Sequence, residues 1–159
     1  MYFIDSPTCR IDRFDWNRST GAIERRITLA EFHACDGTPD GMTIDTEGHL
    51  WVAFWGGGCV RRIHGETGKV LGKVELPVTQ VTSCTFGGED CATLFITSAA
   101  HGLSPSQRAQ QPLAGALFVA TPGPAGMPTH VFPYAPKVGK LRSRADRNRT
   151  AFYASQQQP

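Results

Sequence analysis

Residues 41–76 constrain the fold more than any other stretch of the chain, because they read as four short strands joined by three turns of hairpin length. The strands are 41–45, 49–54, 59–64 and 69–76; the turns are Thr46-Glu47-Gly48, Trp55-Gly56-Gly57-Gly58 and Gly65-Glu66-Thr67-Gly68. Glycine supplies the positive φ that such turns need, and Asp accepts backbone donors at their corners. Leu50, Trp51, Val52, Ala53 and Phe54 are apolar at every position, as in a strand buried on both faces. In the last strand Val70, Val74 and Leu76 alternate with Lys69, Lys73 and Glu75, so one face meets water. A meander that starts small and polar, passes through a buried strand and ends amphipathic has the form of one propeller blade.

The pattern repeats. Thr20-Gly21 recurs as Thr67-Gly68, 47 residues on, and Leu50-Trp51-Val52-Ala53 recurs as Leu94-Phe95-Ile96-Thr97, 44 residues on. A period in the forties with about four strands per unit favours a propeller. The expected fold is therefore all-β, a partial β-propeller occupying residues 1–136, with blades at 2–35, 40–77 and 80–136. The first blade has three strands (2–4, 10–15, 24–31) and the third has four (81–86, 93–98, 114–120, 130–134). An open antiparallel sandwich of the same eleven strands is the alternative, because strand count alone does not fix topology. Residues 99–113 form a long polar loop with Gly102, Pro105 and Pro112 over one end of the third blade. Gly56-Gly57-Gly58 lies between two strands and is read as a blade turn, since phosphate-binding loops open a helix.

Composition narrows the partners. With 40% hydrophobic and 19% charged residues the chain is globular, and no apolar run approaches the roughly 20 residues of a membrane helix. The start, Met1-Tyr2-Phe3-Ile4-Asp5, lacks the basic region and apolar core of a signal peptide, so a cytoplasmic protein is expected. Cys9, Cys35, Cys59, Cys84 and Cys91 are odd in number, show no C-x-x-C spacing and are read as reduced, mostly buried thiols. Residues 137–149 set six basic side chains against Asp146 alone, and residues 137–159 are read as a basic, disordered tail. No recognition motif or interleaved aromatics accompany those charges, so no nucleic-acid partner is expected.

One run of motifs is distinctive: Pro39-Asp40-Gly41-Met42-Thr43-Ile44-Asp45, with Gly48 and Leu50-Trp51-Val52-Ala53, then Trp55-Gly56-Gly57-Gly58 with Val60 and Arg62. Tyr2-Phe3-Ile4-Asp5-Ser6-Pro7 precedes it, and Ser83-Cys84, Phe86-Gly87-Gly88, Leu94-Phe95-Ile96-Thr97-Ser98-Ala99 and Gln111-Pro112-Leu113-Ala114-Gly115 follow. Taken in this order, these segments resemble the gluconolactonase, regucalcin and senescence-marker family. The resemblance implies a six-bladed propeller, of which this chain has about two and three-quarter blades, hydrolysing a small sugar lactone with a divalent cation at the channel mouth. It also implies that Asp40 is a metal ligand and the catalytic base, the cation being Ca, Zn, Mg or Mn. The family's Glu ligand and Asn ligands fall before the segment that begins here with Tyr2, so a weakly active or inactive half is expected. Two explanations follow: a portion of a longer gene product, which is preferred, or a half-ring that pairs with another chain. Self-association through open blade edges is expected in either case. The functional alternative is a binding module without catalysis.

Other residues read as structural. Asp45 is expected to form a hairpin corner with Gly48, and Trp51 to lie in the core, although Trp51 and Trp55 are both of the type that stacks on sugars. Arg61 and Arg62 are expected to place one side chain outward and one along the surface. His33, His49, His64, His101 and His130 are too dispersed for a metal or catalytic signature, with His101 alone in a loop that can overhang a pocket. No G-x-S-x-G occurs, which removes the usual serine-hydrolase pattern.

Overall fold

The computed structural model describes residues 1–129 and 152–153, and its elements are almost all strands. The first sheet contains β1 (Tyr2–Asp5), β2 (Arg10–Trp16) and β3 (Ile23–Glu31) in chain order. The second contains β4 (Thr38–Ile44), β5 (Leu50–Trp55), β6 (Cys59–Ile63) and β7 (Val70–Glu75), again in chain order. β8 (Val81–Gly87), β9 (Thr93–Ser98) and β10 (Leu117–Ala120) form the third sheet, and β11 (Phe152–Tyr153) runs parallel beside β10. All other pairings are antiparallel meanders, as blades require. The fourth strand expected at 130–134 lies outside the described residues. So does the tail 137–159, apart from Phe152 and Tyr153.

Strand β5 divides the core. Leu50, Val52 and Phe54 join Ile11, Cys59 and Ile63 in a layer between the first two blades. Trp51 and Ala53 face the other way, against Val81, Phe86, Leu94 and Ile96 of the third blade. The uninterrupted apolar run of β5 is thus the consequence of a neighbour on each side, each fully buried large side chain contributing about 1.5–3 kcal/mol. In β7 only Val74 is buried, and the rest of the strand meets solvent as its alternation requires.

The Thr-Gly repeat marks equivalent turns. Gly21 (φ 74°) donates to the Asn17 carbonyl and Gly68 (φ 70°) to the His64 carbonyl. Asn17 Oδ1 accepts from the backbone of Ser19 and Thr20, and His64 Nδ1 accepts from Glu66 and Thr67. His64 therefore has the structural duty of an Asx-turn residue.

Residues 99–113 differ from a plain loop. Pro105–Gln110 form a short helix, α1, opened by a capping box between Ser104 and Gln107. The signal was present as Ser-Pro-Ser-Gln, a cap residue followed three positions later by Gln, with Pro at the first helical position. Gln111 then ties the segment to the second blade's exit, its Oε1 accepting from Thr79 N at 2.7 Å and Thr79 Oγ1 at 3.0 Å.

Candidate functional site

Asp40 lies in a β-bulge. Pro39 pairs with Phe54 and Met42 with Val52, so Asp40 and Gly41 together oppose the single residue Ala53. The bulge recurs in the next blade, where Val81 pairs with Ser98 and Ser83 with Thr97, leaving Thr82 as the extra residue. Asp40 and Thr82 thus hold corresponding places on β4 and β8, the first strands of consecutive blades. Bulges re-aim a side chain and sharpen local twist, and they recur beside active sites.

Gly41 is required by the approach of the two strands. A Cβ added there would lie 2.2 Å from Ser83 Oγ and 2.5 Å from Ser83 Cβ, although its backbone φ is one any residue can adopt. Gly41→Ala is expected to push β4 from β8 and cost about 1–3 kcal/mol, as overpacking does. An unchanged melting temperature would show that the strands part freely.

The Asp40 carboxyl is half-buried. Burial raises its pKa above the ordinary value, the Gly41 N–H pulls weakly the other way, and no cationic side chain contributes. It is a carboxylate without a counter-charge among the described residues, in contrast to the two fully buried acids. Asp12 is held by Arg26 at 2.6 Å and by Arg10 and Thr28. Asp45 accepts from Trp51 Nε1 at 2.9 Å, Arg62 Nε at 2.8 Å and the backbone of Glu47 and His49. It forms the expected hairpin corner and also cross-links three strands of the second blade, which the Asp-Gly pattern did not disclose.

The described residues do not by themselves fit a complete cation site. Among them no three His, Cys, Asp or Glu side chains are grouped to hold an ion. A calcium ion takes six to eight oxygens, and Asp40 supplies at most two. His49 and His64 lie side by side with ring centroids 4.6 Å apart and planes tilted by 39°, and each accepts a backbone N–H at Nδ1. His33 and His101 are exposed, and His130 lies outside the described residues.

Both arginines of β6 depart from expectation, since neither is free in solvent. Arg61 lies over the Phe54 ring at 4.2 Å and donates to the Asp36 carbonyl, and Arg62 bridges Asp45 and Glu47. Arg61 thereby braces the loop that leads into β4 and Asp40. Trp51 is core, as its neighbours implied. The cysteines are all free thiols, but only Cys59 and Cys84 are buried; Cys9 and Cys91 sit half-buried in turns and Cys35 is exposed. Burial pushes the Cys84 thiol up to about 12, which makes it inert. Among the described residues no helix is long and apolar enough to cross a membrane.

Comparison with known proteins converges on one group. Residues 1–100 match the profile described as the SMP-30/Gluconolactonase/LRE-like region. Regucalcin of Sus scrofa is 46% identical over 136 residues, covering 85% of this chain and 45% of its own length. Regucalcin of Danio rerio is 45% identical over 133 residues, covering 83% of this chain and 45% of its own. Among solved structures, a luciferin-regenerating enzyme superposes with a TM-score of 0.71 at 37% identity, covering 80% of this chain and 43% of that one. A calcium-binding protein, regucalcin, from Agrobacterium tumefaciens does so with a TM-score of 0.68 at 31% identity, covering 73% and 39%. The chain spans less than half the length of these relatives, and the architecture is that of part of a six-bladed propeller.

Proposed function

We propose, for a chain that belongs to the SMP-30/gluconolactonase/LRE-like family, that its task is to carry the Asp40 portion of a site that hydrolyses a small sugar lactone. The observation that supports this most is the half-buried, uncompensated carboxylate of Asp40 in a repeated bulge. A carboxylate whose pKa is raised is a better proton acceptor, and lactone opening needs one. Water attacks the lactone carbonyl carbon while Asp40 takes its proton. The ring C–O bond then breaks, and the departing alkoxide recovers that proton from the Asp40 carboxyl, giving a hydroxy acid.

A divalent cation near Asp40 (Ca, Zn, Mg or Mn) belongs to the same reading. Its other ligands come from beyond the described residues, so no step is assigned to it. A cytoplasmic setting is supported by five unpaired thiols. Neither nucleic acid nor a membrane enters as a partner.

The test compares the purified 159-residue chain with a ring completed by the part of the Sus scrofa regucalcin that this chain does not match. The chain alone is expected to hydrolyse a gluconolactone slowly or not at all, and the completed ring to do so with a divalent cation present. A folded completed ring that binds lactone and never turns it over would instead establish a binding module.

A further inference from the structure

We infer that Arg61 is a positioning residue for Asp40: its guanidinium clamps the turn that feeds β4 and so fixes where the Asp40 carboxylate stands. The clamp stands on the geometry around Arg61; its bearing on turnover rests on the reading of Asp40 above.

Ala34–Asp36 form a single 3-10 turn whose bond from Asp36 N to the His33 carbonyl is internal. Among the described residues, Arg61 is the one side chain that bonds this turn from outside. Its Nη2 donates to the Asp36 carbonyl at 3.0 Å and stands 3.9 Å from the Asp36 carboxylate. Two glycines let the turn settle so closely on the β5–β6 hairpin. A Cβ on Gly57 would lie 2.6 Å from the Asp36 carbonyl oxygen, and one on Gly37 (φ 90°) would lie 2.5 Å from Gly57 N. The carbonyl that Arg61 holds is thus reached across the space that Gly57 leaves.

The second hold is on the strand against which the Asp40 segment pairs. The Arg61 guanidinium lies over the Phe54 ring, 4.2 Å from its centroid, and Phe32, which enters the turn, meets the same ring edge-on at 4.9 Å. Phe54 is fully buried and pairs with Pro39, the residue before Asp40. One guanidinium therefore touches the carbonyl four residues before Asp40 and the ring opposite the residue just before it. Downstream, Gly41 is fixed by its approach to Ser83. The bulge that carries Asp40 is pinned at both ends, and Arg61 supplies the upstream pin.

Arg61 works through the chain it holds and not through its charge. Burial and the Gly41 N–H govern the Asp40 carboxyl, and the Arg61 cation has no part in that balance. The shape of the side chain is what the clamp uses: a planar guanidinium stacks flat on an aromatic ring while it donates in its own plane. Lysine keeps the charge but cannot do both at once. Reaction geometry is sensitive on this scale, since a misplacement of about 1 Å costs about 10²-fold in rate.

Backbone hydrogen exchange on the 159-residue chain reads the clamp independently of activity. Arg61→Met should speed exchange of the amides between Asp36 and Gly41 at least about 10-fold and leave those of β8 and β9 unchanged. Val74→Ala is the control, a cavity packed on the other face of the same blade, which should lower the melting temperature without loosening that segment. In the completed ring at saturating divalent cation, Arg61→Met and Arg61→Lys should each lower kcat for a gluconolactone by about 10–100-fold with KM within about threefold, and Val74→Ala should change neither. Exchange that Arg61→Met leaves untouched, or that Val74→Ala speeds as much, would overturn the clamp. Faster exchange with parental turnover, or full turnover in the lysine variant, would overturn the positioning role. Faster local exchange in Arg61→Met beside a parent ring that never turns the lactone over would uphold the clamp and overturn only the reading of Asp40.

Discussion

Asp40→Asn is expected to lower gluconolactone turnover by about 10²–10⁴-fold in the completed ring, the range a general base commonly supplies, with the fold intact. Asn has the same size, accommodates the same bulge and cannot take a proton at neutral pH. No described side chain depends on the Asp40 charge, so its removal leaves nothing unpaired. The stability effect has a definite sign. Burial raises the Asp40 pKa in the folded state, so the folded protein holds this proton more tightly than the unfolded chain does. Asp40 therefore favours folding at acid pH, and that contribution is lost as pH rises through its folded pKa. At neutral pH the Asn variant should melt at or slightly above the parent temperature. Turnover at saturating divalent cation, measured beside the melting curve, separates the roles: near-normal turnover would reduce Asp40 to a residue that shapes the bulge.

Asp45→Asn should have the opposite profile, with a loss of about 3–5 kcal/mol in stability, as when one member of a buried ion pair is removed. The buried carboxylate satisfies Trp51 Nε1, Arg62 and the backbone of Glu47 and His49 together. Asn retains the turn but turns a donor toward Trp51 or Arg62, which already donate. Arg62 keeps Glu47 at 2.9 Å as a partly exposed substitute. Burial alone pushes the Asp45 pKa up, but the bonds from His49, Trp51 and Arg62, with the charge of Arg62, outweigh it and hold the pKa below the ordinary value. A lowered folded pKa gives stability that is complete above the unfolded value of about 3.9 and lost as pH falls through the folded one. The gap between parent and variant in urea unfolding should therefore close as pH falls below about 4. A loss under about 1 kcal/mol at pH 7 would mean that Asp45 does no more than shape its hairpin.

The blade architecture was legible because strand alternation and turn chemistry are local. Leu50 to Phe54 announced a strand with neighbours on both sides, and the layers around β5 are its consequence. The Thr-Gly repeat marked equivalent turns because positive φ is a demand of the backbone itself. The cap of α1 was equally local, in Ser104 and Gln107, yet residues 99–113 read as a loop because the helix from Pro105 to Gln110 is too short to show a helical period.

The sequence by itself determined the all-β class and the order of the short antiparallel strands, since both rest on period and turn residues, whereas Asp40 was singled out by the resemblance to the family. Only the tertiary structure decided what each charge does. Asp40 and Asp45 stand five positions apart in one motif, yet Asp45 meets Arg62 and Trp51 across neighbouring strands while Asp40 meets no cation. The paired bulges at Asp40 and Thr82, the contact of Gly41 with Ser83 and the closeness of His49 to His64 likewise join residues distant in the chain. Backbone preference acts over a few residues, whereas the pKa and reach of a carboxylate depend on whatever the folded strands bring within a few ångströms of it.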